Sequence, residues 1–99
     1  MYSSIFKINI EITTGCKNLK EKRNILKSIF ARIRQRFNIS ISEVSQLKSL
    51  TMTTIGIAYI TNDSKKNEII IHEIIKFIEI FRPDLTIVNI ISDSIKIEN

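Results

Sequence analysis

"SIFKINIEITTGCKNLKEKRNILKSIFARIRQRF", residues 4–37, changes its apolar period from two to 3.6 across one turn. In residues 4–13, Phe6, Ile8, Ile10 and Ile12 alternate with Lys7, Asn9 and Glu11, which predicts a half-buried strand. "TTGCK" follows as a turn, with Gly15 free to take positive φ. From Asn18 the spacing is helical. Asn18 can cap the helix, and Glu21 stands three residues on, at the spacing of a capping box. Leu19, Leu26, Ile29, Phe30, Ile33 and Phe37 form one apolar face, and Asn38 is a candidate left-handed stop.

Working outward, "ISISEV" (39–44) alternates again, with a slip near Glu43, and predicts a second strand. "TMTTIGIAYI" (51–60), rich in Thr, Ile and Tyr, predicts a third, and Gly56 within it suggests close approach of a helix or backbone. Asp63 or Ser64 can cap a second helix whose core face is Ile70, Ile74, Phe77, Ile78 and Phe81, and which Pro83 ends. "LTIVNIISDSIKI" (85–97) predicts a last strand, bent or bulged at "SDS". Strand, helix, strand, strand, helix, strand is the split βαβ order of a ferredoxin-like α+β domain. Right-handed crossovers would set both helices on one face of a four-stranded antiparallel sheet and leave the other face open. At 99 residues, the chain is expected to be a single domain, 1–99.

The formal charge of +5 is concentrated. Residues 17–36 hold Lys17, Lys20, Lys22, Arg23, Lys27, Arg32, Arg34 and Arg36 against Glu21, 8 − 1 = +7; the rest of the chain sums to −2. At 100° per residue, Lys20, Arg23, Lys27 and Arg34 lie within about 60° of one another, in a stripe roughly 21 Å long. Lys22, Arg32 and Arg36 lie on the other side. Arginine forks suit phosphate oxygens, so the stripe is the candidate nucleic-acid-binding surface. The ordinary alternative is a solvated helix flank whose stems cover apolar edges. Phe30 and Phe37 belong to the core face, so no aromatic residue interleaves with the stripe and base stacking is unsupported.

No other constellation carries chemistry. Cys16 precedes a helix start and adjoins Lys17, a setting that can lower a thiol pKa, but the single histidine, His72, is not brought near it by any pattern. No His, Cys or carboxylate group has metal-ligand spacing, and two glycines cannot build a phosphate loop. No catalytic residue, metal or cofactor is therefore expected. A single cysteine fits a reducing compartment. The first residues lack the pattern of a signal peptide, and no apolar run approaches the ~18 residues of a membrane span. A cytoplasmic protein without a membrane partner is the expectation.

"NLKEKR" at 18–23, "RFNISISE" at 36–43 and "GIA" at 56–58 resemble the YlxP-like family of small bacterial proteins. The resemblance spans nearly the whole chain, is specific in its first half and weak in its last strand. It implies a ferredoxin-like fold, and, because family genes often lie beside translation genes, a role near RNA or the ribosome. Where the family usually carries a "QD-x-WQR" segment, residues 46–51 read "QLKSLT", so functions resting on that loop do not carry over. The resulting expectation is a non-enzymatic RNA- or ribosome-associated factor. The competing expectation is a protein-interaction or homodimerisation module that uses the open sheet face.

Overall fold

The computed structural model describes residues 1–98. Its elements are β1 (Tyr2–Ile12), α1 (Leu19–Arg36), β2 (Ser40–Ser45), β3 (Met52–Thr61), α2 (Ser64–Phe81) and β4 (Leu85–Lys96). The sheet runs β2-β3-β1-β4, antiparallel throughout, so β2 and β4 are its edges. This is the ferredoxin-like α+β arrangement that the element order predicts.

Alternation in β1 decides the layers. Ile8, Ile10 and Ile12 point to the helices and are buried, while Ile5, Lys7 and Glu11 point to the open face. Register carries the same phase across the sheet. Ile8 lies opposite Ile55 and Ile90, and Phe6 opposite Ile57 and Ser92. Leu26, Ile29, Phe30 and Ile33 of α1 and Ile71, Ile74 and Ile78 of α2 close over this face. Each fully buried isoleucine contributes about 1.5–3 kcal/mol against exposure. Ile55, Ile57 and Tyr59 therefore belong to the core, not to the open side.

Local signals behave as their chemistry dictates. Asn18 Oδ1 accepts from the Glu21 N–H at 2.8 Å, and Asp63 Oδ1 from the Lys65 N–H at 3.0 Å. Glu21 reaches back to the Lys17 N–H at 3.4 Å, one residue before the cap, so the capping box is only half closed. Gly15 has φ +69°. Asn38 is not left-handed; α1 ends at Phe37 in extended backbone, and Gln46 takes the left-handed conformation at φ 62°.

Two bulges interrupt the sheet. β2 slips between Glu43 and Ser45, as its pattern predicts, and this turns Val44 across the open face. What approaches Gly56 is that side chain, not a helix or backbone: a Cβ on Gly56 would lie 2.9 Å from Val44 Cγ1. In β4 the shift falls opposite Asn9/Ile10, at Val88, and "SDS" continues the strand in regular register. The polar side chains of Asn9 and Asn89 hold that point, Asn9 Nδ2 donating to Asn89 Oδ1 at 2.6 Å.

Candidate nucleic-acid interface

The cations of α1 sort by their angle to the apolar face. Lys22 is 1% exposed. Its Nζ lies 2.6 Å from Gln46 O, 2.7 Å from Ser49 O, 2.8 Å from Met52 O and 2.9 Å from Glu43 Oε2. An ammonium carries three N–H donors, so these four oxygens share them. Thr53 Oγ1 donates to the same Glu43 oxygen at 2.7 Å. A buried charge is tolerable only when paired and hydrogen-bonded, and both ions of this pair are. The loop between β2 and β3 is thus folded around the end of a lysine.

Arg32 and Arg36 face α2. The Arg32 guanidinium lies 4.5 Å from the Phe81 ring centre; Arg36 lies 5.5 Å from that of Phe37 and 5.7 Å from that of Phe77. These are cation–π contacts that also cover the aromatic seam between the helices.

The predicted stripe is divided. Arg23, Lys27 and Arg34 line one shallow groove of about 250 Å³ with Leu26, Phe30 and Glu43, between α1 and β2. Lys20 is exposed one turn before Arg23 and does not line it. Arg34 is anchored: its Nη2 donates to Ile41 O at 2.8 Å, and its guanidinium lies 5.8 Å from the Phe30 ring centre. Among the described residues, the side chains of Lys20, Arg23 and Lys27 have no ion pair. Among the described residues the one carboxylate lining the groove is Glu43, the partner of Lys22. Its charge is neutralised from within, and the positive excess of the groove stands.

Sequence reasoning did not single out Lys22 or Glu43. The signal was present: Lys22, Leu26, Ile29 and Ile33 are spaced i, i+4, i+7, i+11, which places the lysine on the core face. Asn67 is a second case. It lies four and seven residues before Ile71 and Ile74 and is buried with them. Tyr59 O–H donates to Asn67 O, Thr61 Oγ1 to Asn67 Oδ1, and Asn67 Nδ2 to Ser4 Oγ. Burial pushes the Tyr59 hydroxyl up to about 12.

The remaining candidates take plain structural places. Cys16 is buried and its thiol is pushed up, chiefly by that burial, which outweighs the lowering that a cationic helix-start setting can give. His72 is exposed beside a cleft of about 570 Å³ between α2 and β4, with Glu68, Ser92, Asp93 and Ser94. Among the described residues, no group of three His, Cys, Asp or Glu is placed to hold a metal ion. No described helix is long and apolar enough to cross a membrane.

Comparison with known proteins agrees with the motifs. A de novo designed protein, Foldit4, superposes with a TM-score of 0.57 over 97% of this chain and 99% of its own, at 11% identity, a likeness of fold alone. The "Uncharacterized protein YlxP" of Bacillus subtilis (strain 168) is 36% identical over 64 residues, 65% of this chain and 70% of that protein. The model of the family described as "Protein of unknown function (DUF503)" matches residues 4–91. With its fold, its helix-one motif and these matches in agreement, the chain belongs to the DUF503, or YlxP-like, family.

Proposed function

We propose that this protein is a non-enzymatic, cytoplasmic, RNA- or ribosome-associated factor that contacts phosphates through the α1 flank formed by Lys20, Arg23, Lys27 and Arg34. One observation carries the reading. Among the described residues the groove is lined by three cations, and the one carboxylate there, Glu43, is already engaged by Lys22. Lys20 adds to it from the first turn of α1, where the helix dipole also favours an anion. The floor of Leu26 and Phe30 offers no exposed ring for stacking, which fits contact with backbone rather than with bases.

The test is co-sedimentation with ribosomal subunits and with total RNA at low and moderate salt, for wild type and for reversal of all four cations to Glu. Four phosphate contacts give a log–log salt slope of roughly −3 to −4. Salt-dependent binding that the reversal removes supports the reading. Binding unchanged by the reversal overturns it.

The second reading, an interaction module working through the open sheet face, is supported by Ile5, Ile60, Ile91 and Ile95, all about half exposed on that face or more. Polar residues limit the patch. Thr54 Oγ1 donates to Asn9 Oδ1 at 2.7 Å, and Asn9 to Asn89, so a polar ladder crosses three strands beside the isoleucines. A strictly monomeric chain in light scattering would count against this reading.

A further inference from the structure

The two edges of the sheet are unlike. β2 is six residues long and bulged, and one of its carbonyls is taken by Arg34. Short length and bulges are how proteins blunt an edge. β4 is twelve residues long. Beyond its bulge at Val88, Asn89–Lys96 runs in unbroken register with β1 for roughly 27 Å at 3.4 Å per residue, and among the described residues no strand pairs its outer side.

β4 is also bare on both faces. Ile91 and Ile95 point to the open side. Ile90 shares the helix-side row with Ile8, yet Ile8 is fully buried and Ile90 is 40% exposed. An uncovered sheet face explains the first two only. The helix layer stops short of this strand as well. Opposite Ser92 and Ser94, whose side chains are small, the cleft of about 570 Å³ separates α2 from β4. Unpaired backbone, apolar side chains on both faces and a gap in the helix layer coincide along one strand.

We propose that a second copy of this chain pairs here, β4 against β4, antiparallel about a two-fold axis normal to the sheet. Such an axis keeps both helix layers on the same side and makes one eight-stranded sheet. Residues directly opposite in an antiparallel pair share a face, so the axis passes beside a residue that meets its own copy. Centring on Asp93 sets two carboxylates against each other, which is unfavourable. Centring on Ile91 sets isoleucine against isoleucine and places Asp93 opposite the partner's Asn89, an amide that can donate to it. The seam by itself is small beside the ~800 Å² per partner of a standard interface. A stable pair on this edge therefore requires the two α2 flanks to meet over Ser92 and Ser94 and close the cleft. This pairing is independent of the α1 groove.

Sedimentation velocity across roughly micromolar to millimolar concentration is the test. The expected result is a species of twice the 11.5 kDa chain mass. Ile90→Lys, on the helix side of the edge, should weaken it about tenfold or more, whereas Ile60→Lys, on the open face of β3, should leave it intact. Ile91→Cys should give a covalent dimer on mild oxidation, with wild type, whose one thiol is buried, as the control. Wild type that stays monomeric throughout overturns the proposal. So does a dimer that Ile60→Lys breaks and Ile90→Lys does not, which would be face-to-face stacking. If Ile90→Lys fails to fold, the cross-link decides: its absence from a dimeric Ile91→Cys protein also overturns the pairing.

Discussion

Lys22 and Arg23 are neighbours in sequence and opposites in circumstance. Lys22 is sealed in the protein with four oxygen partners; Arg23 lies in an open groove and has no ion pair among the described residues. One step of 100° separates them. Both count equally in the +7 of residues 17–36, so a charge total overstates the surface available to an anion. What decides is the phase of each cation relative to Leu26, Ile29 and Ile33.

The harshest way to probe that contrast is Lys22→Ala. It leaves the partly buried Glu43 without its cation and three carbonyls without a donor, and should cost about 3 kcal/mol in urea denaturation. Next comes Glu43→Gln, which keeps the shape and removes the charge; a loss of about 1–3 kcal/mol is expected by the same measurement. A Lys22→Ala protein as stable as wild type would erase the distinction between the two neighbours.

The Arg82–Asp84 pair, bidentate at 2.9 and 2.7 Å and partly exposed, stands between the extremes. Arg82 holds the Asp84 carboxyl below its ordinary range. The pair therefore adds stability above the unfolded carboxyl pKa of about 4, and that contribution is lost as pH falls through the lower folded value. Asp84→Asn should cost about 1 kcal/mol or less near neutral pH, and the gap to wild type should close in strong acid. Smallest in stability is the pair of reversals Arg23→Glu and Lys27→Glu, within about 0.5 kcal/mol of wild type. Thermal unfolding checks this, and RNA co-sedimentation of the same variants should show a large fall in binding.

Much of this was legible in the chain. The alternation of Phe6 to Ile12 and the helical spacing of Leu26 to Ile33 fix which faces are buried, and the element order follows. The α2 range, from its Asp63 cap to Phe81, follows from cap chemistry and Pro83. Tertiary placements were less accessible. A lysine at a core phase reads as surface until a carboxylate from another strand is known to reach it, and Glu43 is twenty-one residues away. Gln46 is left-handed because the loop bends around Lys22, where no local glycine announces it. The β4 bulge sits at Val88, beside the Asn9–Asn89 contact, which only pairing creates. Of the candidate stripe, angle alone could group four cations; whether they share one groove depended on where β2 lies, and Lys20 fell outside.

Lys22 holds the β2–β3 loop through the main-chain oxygens of residues 46, 49 and 52, not through any side chain of those residues. Its grip is therefore blind to what is written there and sensitive to how many residues are written. Substitutions at Leu47 and Lys48, both exposed, leave all three oxygens in place. Inserting or deleting one residue between 46 and 52 moves at least one oxygen off the ammonium. At exposed positions such as Leu47 and Lys48 the lysine thus constrains how long the loop is and not which residues fill it, while Ser49, whose Oγ accepts from the Met52 N–H at 3.0 Å, is held on its own account.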